Sequence, residues 1–123
     1  MPLIRVKRVY DAPAGDDGYR ILVDRLWPPG MSWERSRVDL WLKDIAPSDE
    51  LRRWFNHEPE KWAEFKRKYF AEIKERTEAL GSLLDKLKTE RVTLLYGARD
   101  QQLNNATALK EYLETGRATD NEA

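Results

Sequence analysis

The chain contains no cysteine, which excludes disulfides, thiolate metal sites and cysteine nucleophiles. It has a single histidine, His57, so the usual imidazole and thiolate ligands of a transition-metal site are missing, and no clustered Asp motif supports a carboxylate-only Mg site. No metal is expected. No apolar run approaches the roughly 20 residues that span a bilayer, so no membrane span is expected. Charge of one sign is also missing: 22 basic residues face 22 acidic ones. Dominant non-specific nucleic-acid binding needs a basic footprint, so nucleic acid is not expected as the partner, although a local basic patch is compatible with zero net charge. The opening residues, Met1-Pro2-Leu3-Ile4-Arg5, carry no apolar stretch of signal-peptide type. With the absence of cysteine, this points to a cytoplasmic, bacterial-style setting.

What is present is charge and tryptophan. Charged residues make up 36% of the 123 positions, against a usual quarter or so, and are read as solvated helix faces. A chain of this length supports one core and buries roughly two-thirds of its unfolded surface, so it folds without staples. The five tryptophans all fall between Trp27 and Trp62, which places an aromatic-rich part of the core there.

Residues 4–9 alternate apolar and basic, the period of a half-buried strand. Residues 11–18 are turn chemistry. Residues 20–24 and 92–96 carry unbroken apolar stretches, which read as strands buried on both faces. Between them, Leu26-Trp-Pro-Pro-Gly30 cannot be regular structure, because two prolines remove two donors and fix φ. Leu40, Trp41 and Ile45 suggest a short amphipathic piece ending at Pro47. Ser48 caps a helix over about 49–56. Pro59 opens a second helix whose stripe is Trp62, Phe65, Tyr69, Phe70 and Ile73, and a third is expected near 79–88. Asn104 or Asn105 caps a final helix that Gly116 ends. Residues 1–116 are read as one domain and 117–123 as a disordered tail. Strands alternating with helices indicate an α/β fold: a small single-layer sheet, largely parallel, flanked by helices in a Rossmann-like manner.

Gly18-Tyr-Arg-Ile-Leu-Val-Asp-Arg-Leu-Trp-Pro28, Trp41-Leu-Lys, Ala46-Pro-Ser-Asp-Glu-Leu, Trp54-Phe-Asn-His and Thr93-Leu-Leu-Tyr-Gly-Ala-Arg-Asp100 followed by Asn104-Asn-Ala resemble the YeaO-like family, a bacterial and archaeal domain of unknown function. The resemblance extends over nearly the whole chain to about Leu113. It implies a fold and no established reaction. The motif positions carried over by it are Asp24, Arg25, Trp27, Arg99, Asp100, Asn104 and Asn105. Two positions depart from the family pattern: Pro29 stands where Arg is usual, and Leu103 where His is usual. A member lacking either side chain is altered or inactive if that side chain is central to a family activity.

The strongest constellation joins two strand ends, Asp24-Arg25 after one buried strand and Arg99-Asp100 after another. Ligands of open α/β sheets bind beyond the carboxyl ends of the strands, and the start of the final helix would point free N–H groups at the same place. On this reading Arg25, Arg99, Trp27, Asn104, Asn105 and the backbone at Asn104–Ala106 hold a small anionic ligand, and Asp24 or Asp100 carries protons. The competing reading pairs Arg25 with Asp100 and Arg99 with Asp24 as loop ties. His57 is either a general base or a connector in which its ring or Glu58 caps the following helix. Trp27 either lines a pocket or anchors its loop.

No P-loop, Gly-x-Gly-x-x-Gly or Gly-x-Ser-x-Gly motif occurs, so no cofactor is identified and Ser32, Ser36, Ser48 and Ser82 lack a nucleophile's context. Two functions compete: an enzyme or binder for a small anion, and a non-catalytic module that binds nucleic acid or a protein through Arg5, Lys7, Arg35 and Arg37. The first strand's basic face fits a guarded sheet edge better than an RNA surface. Truncating Trp62 or Phe65 to Ala is expected to cost about 3–5 kcal/mol if the stripe faces a core.

Overall fold

A computed structural model of the chain describes residues 4–122, with side chains described for residues 4–115. Among the described residues the strands form one four-stranded sheet, β1 (Ile4–Arg8), β2 (Tyr19–Leu22), β3 (Leu40–Trp41) and β4 (Val92–Tyr96), in the order β1-β4-β2-β3. Every pairing is parallel. The fold is the α/β sheet with flanking helices that the strand and helix patterns imply. β4 lies between β1 and β2, and all five of its residues are buried, as continuous apolar content requires of a central parallel strand. β1 is an edge strand in which Ile4 is buried and the rest are half-buried. The ladder bonds run one residue beyond the assigned strand ends: Val9 N–H donates to Tyr96 O and Val23 N–H to Leu95 O.

The helices are α1 (Trp33–Ser36), α2 (Asp49–Phe55), α3 (Trp62–Glu75), α4 (Thr77–Thr89) and α5 (Asn105–Glu122). Ser48 caps α2, its hydroxyl accepting from Leu51 N–H. Pro59 opens a 3-10 turn that leads into α3. Three expectations are corrected. The piece around Leu40, Trp41 and Ile45 is strand β3 followed by a 3-10 turn at Lys43–Ile45. A two-residue strand is too short to carry a period, and pairing with Ile21 and Leu22 decides its conformation. α5 passes through Gly116 to Glu122; glycine costs a helix only about 1 kcal/mol and does not by itself stop it. The expected disorder of 117–123 falls on residues whose side chains lie outside those described. Finally, Glu58 provides no side-chain cap for the turn after it; its carboxylate pairs with Lys61 instead.

The two faces of the sheet are built differently. Ile21, Val23, Val92, Leu94 and Tyr96 face a core completed by α2 to α5, with Phe65, Tyr69, Ile73, Leu83, Leu87, Leu109 and Leu113 buried there. Tyr69 is fully buried and its hydroxyl donates to Ile45 O at 2.7 Å. Four of the five tryptophans ring the cores rather than fill them: Trp54 and Trp62 are half-buried at the edge of this one, and Trp27 and Trp41 at the edge of the other, while Trp33 is exposed. A large ring with one polar N–H is seldom wholly buried.

The opposite face carries a small cluster of Val9, Leu22, Val38 and Leu95, and beside it a buried charge network. Asp17 and Arg20 are 1% and 4% exposed and form an ion pair. Lys7 Nζ donates to the same carboxylate at 3.0 Å, and Ala14 N–H does so at 3.0 Å. The Arg20 guanidinium also donates to Ser36 O and Arg37 O, and Thr93 Oγ1 donates to Asp17 O. The stretch 11–18, which reads as a plain turn, therefore closes this face. Gly18 makes it possible. Its φ is +70°, and a Cβ there would lie 2.3 Å from Arg91 O, an approach that no side chain permits.

Burial alone would raise the Asp17 carboxyl, but donors from Ala14, Lys7 and Arg20 outweigh it and hold it below the ordinary range. A depressed folded value stabilises the fold above the unfolded value near 3.9, and that stability is lost as pH falls through the folded value. Asp17→Asn should cost about 3–5 kcal/mol in urea unfolding at neutral pH, since it leaves Arg20 buried and unpaired. A loss under about 1 kcal/mol would show that the network does not close this face. Phe65→Ala should cost about 3–5 kcal/mol, and Trp62→Ala should cost less, because Phe65 is 3% exposed and Trp62 only half-buried.

Candidate functional site

β2 and β4 are parallel neighbours, so both chains leave the sheet on the same side. Beyond their carboxyl ends lies a crevice of about 380 Å³, where ligands of open α/β sheets bind. Its floor is Asp24, Gly97, Ala98 and Asn105. One wall is the segment Arg25, Leu26, Trp27, Pro28 and Pro29 with Tyr10; the other is Ala46, Pro47, Phe55 and Phe65. Arg52, Arg53 and His57 also line it.

Asp24 ties the floor together. One carboxylate oxygen accepts from Gly97 N–H at 2.8 Å, and the other from Asn105 Nδ2 at 3.0 Å. The Asn105 amide also donates to Val23 O, and Trp41 Nε1 donates to Asp24 O. One side chain thus joins the ends of β2 and β4 to the first residue of α5. Gly97 fits this contact because a Cβ there would sit 3.2 Å from the carboxylate. Burial pushes the Asp24 carboxyl above the usual range, against the opposing pull of the Asn105 amide, the Gly97 N–H and the Arg52 charge.

The walls are fixed by backbone acceptors. Tyr10 OH donates to Pro29 O at 2.8 Å, and Trp27 Nε1 donates to Met31 O. Trp27 stacks on Trp33 and meets Trp41 edge-on, so it both lines the crevice and anchors its loop. Arg76 holds the opposite wall by donating to Asp44 O and Ala46 O.

The cationic groups are held loosely. Arg25 reaches Ala46 O and Pro47 O at 3.5 Å and Asp49 at 3.9 Å. Arg52 pairs with Asp49 at 3.2 Å, with both side chains 54% exposed, a contact of little stabilising value. Asn56 and His57 have φ of +48° and +55°, two successive left-handed residues without glycine, a conformation that costs energy and clusters at functional sites. The turn they make brings His57, which is exposed, to the crevice, with its ring 6.3 Å from that of Phe55.

Of the residues singled out from sequence, Asp24, Arg25, Trp27, Asn104 and Asn105 meet at this crevice. Asn104 Oδ1 is committed to capping α5, accepting from Thr107 N–H at 2.8 Å. Arg99 and Asp100 do not line the crevice, and both are exposed. The Asp100 carboxylate accepts from Gln102 and Leu103 N–H, forming a turn that brings Leu103 and Asn104 to the crevice and leaves Arg99 outside. The Leu103 and Gln102 N–H groups hold the Asp100 carboxyl below the ordinary range. Of the two arginines expected to converge, Arg25 lines this crevice and Arg99 does not, and the cross-pairs Arg25–Asp100 and Arg99–Asp24 are not among the ion pairs of the described residues. Arg52 and Arg53 were missed. The available signal was their position between two matched motifs, Ala46-Pro-Ser-Asp-Glu-Leu and Trp54-Phe-Asn-His.

Elsewhere, Arg5 pairs with Asp16 and Lys7 with Asp17, so the basic face of β1 is largely neutralised. Arg35 and Arg37 border a second, more open groove with Trp33. Among the described residues no group of three His, Asp or Glu could hold a metal ion, and no helix is long and apolar enough to cross a membrane.

The sequence profile of the family described as "Inactive DUF488-N3 subclade" matches residues 3–123. The chain is 42% identical over 112 residues to uncharacterized protein YeaO of Escherichia coli (strain K12), covering 91% of this chain and 97% of that protein. It is 40% identical over 110 residues to uncharacterized protein Mb3100c of Mycobacterium bovis, and equally to uncharacterized protein Rv3073c of Mycobacterium tuberculosis, covering 89% of this chain and 92% of each. No solved structure matches the chain.

Carboxyl carbon NMR should show Asp24 titrating above, and Asp100 below, the ordinary aspartate value near 3.9. A raised folded value means that the Asp24 contribution to stability is full below the unfolded value and is lost as pH rises through the folded one. If Asp24 titrates at or below Asp100, the buried-floor geometry is wrong.

Proposed function

Since the chain belongs to the inactive DUF488-N3 subclade, among bacterial YeaO-like proteins, we propose that it acts by binding rather than by turnover, holding a small anion in the crevice beyond β2 and β4. The observation that carries this reading is the gathering of Arg25, Arg52, Arg53 and His57 around one crevice whose lining contains a single acidic side chain, Asp24. Arginine forks suit carboxylate and phosphoryl oxygens, and charge-assisted hydrogen bonds outweigh neutral ones. The start of α5 adds the positive end of a helix dipole on the same side.

Binding without turnover is supported by the two positions that depart from the YeaO-like pattern. Pro29 and Leu103, standing where Arg and His are usual, both line this crevice. Apolar groups thus stand where a proton carrier and a guanidinium are usual at the site itself, beside Arg25, Arg52, Arg53 and His57. Asp24 would be the one carboxyl left to move a proton, and its two oxygens are already engaged by Gly97 and Asn105. The alternative, a basic surface for nucleic acid or a partner protein, is favoured less because Arg5 and Lys7 are already ion-paired.

Titration of the whole chain with sulfate, phosphate and acetate at constant ionic strength, followed by amide NMR shifts, should saturate and move residues around Arg25, Arg52 and His57. Arg52→Ala and Arg25→Ala should each weaken binding roughly ten- to hundredfold, the range of one charge-assisted bond, while Arg99→Ala leaves it unchanged. No saturable response, or equal loss with Arg99→Ala, would overturn the reading.

A further inference from the structure

The crevice is much larger than a bare oxyanion needs. At roughly 30 Å³ per liquid water, its 380 Å³ corresponds to about a dozen waters. That volume lies at the small end of pockets for organic ligands, which are mostly apolar with a few placed polar groups. The lining follows the same pattern. Phe55, Phe65, Ala46 and Pro47 form one apolar wall, and Leu26, Trp27 and the two prolines form the other.

Leu26 and Tyr10 add an independent observation. The exposed large hydrophobics among the described residues are Tyr10 at 39%, Leu26 at 62% and Trp33 at 53%, and two of these line this crevice. Leu26 leaves apolar surface in water beside a pocket that could cover it, in a loop whose neighbours Trp27 and Pro29 are pinned by hydrogen bonds. The loop is thus held with an apolar side chain uncovered at the crevice, where bound ligand would remove it from water.

Building on the anion-binding reading above, we propose that the occupant is an amphipathic organic anion: a carboxylate or phosphonate head held by the Arg52 and Arg25 guanidinium groups, on an apolar body of about single-ring size packed between Leu26 and the Phe55–Phe65 wall. Asp24 favours this polarity. Its carboxylate, held by Gly97 and Asn105, repels an anionic head, which leaves the head with the arginines and the apolar body against the apolar lining.

The test titrates the whole chain with phenylacetate, acetate and the neutral benzyl alcohol at matched ionic strength, read by amide NMR shifts. Phenylacetate should bind at least about tenfold tighter than either of the others, with shifts at residues 26–29 and 55–57. Leu26→Ser, at a side chain already exposed in the free protein, should weaken phenylacetate severalfold and leave acetate unchanged, whereas Arg52→Ala should weaken both. Equal affinity for phenylacetate and acetate would overturn the apolar body while leaving the anion reading intact. Benzyl alcohol binding as tightly as phenylacetate, or no saturation by any of the three, would overturn both.

Discussion

The ion pair between Asp17 and Arg20 is the contact on which the thin side of this fold depends. The helical face of the sheet has apolar surface from α2 to α5 to close it. The other face has four buried apolar residues and must be covered by segments that are mostly loop. Asp17 gathers those segments by accepting from Lys7 on β1, Ala14 in its own loop and Arg20 on β2, and Arg20 in turn reaches Ser36 and Arg37 at the end of α1. A buried pair of this kind seldom adds net stability over an apolar substitute, because desolvation offsets the attraction. Its effect here is to specify which loops lie on the sheet. Among the described residues every buried side-chain polar atom has a partner, the condition for such a network to be tolerated.

The carboxyl end of the sheet uses the same device with the opposite electrostatic outcome. Asp17 is surrounded by cations and its carboxyl is held low. Asp24 meets neutral amide donors, and burial raises its carboxyl. Among the described residues, Arg25 and Arg52 near Asp24 line the crevice and pair only weakly, with Asp49. Charge committed to buried ion pairs is therefore on the loop side, and the loosely paired charge is at the strand ends. The separation follows from topology: with β2 and β4 parallel and adjacent, their carboxyl ends, the start of α5 and the end of α2 are brought to one edge.

Much of the fold was legible because its signals are local. The apolar stretch Val92–Tyr96 can be satisfied only between two strands and two layers. Ser48 and Asn104 announce helix starts because their side chains bond to N–H groups three residues away. The stripe through Phe65, Tyr69 and Ile73 needs nothing beyond helical geometry. β3 was not legible, because two residues carry no period and its partner is a strand 19 residues earlier. The role of Asp17 was hidden by the many turns in which Asp serves only as a local acceptor. Of the candidate site, Asp24, Arg25, Trp27 and Asn105 could be placed by their position just after a buried strand or at a helix start. Arg99 could not, since the direction of a side chain three residues past a strand depends on the turn that Asp100 makes.

The sequence by itself determined the longer strands and helices, their apolar faces and the caps at Ser48 and Asn104, since each of these rests on interactions within a few residues along the chain. Only the tertiary structure decided which charges meet. Asp17 with Lys7, Asp24 with Gly97 and Asn105, and the arrival of Arg52, Arg53 and His57 opposite Leu26 all join residues distant in sequence. In a chain with 22 charges of each sign, composition leaves a very large number of pairings open. The strand order β1-β4-β2-β3 selects among them by fixing which strand ends and loops lie within a hydrogen bond of one another.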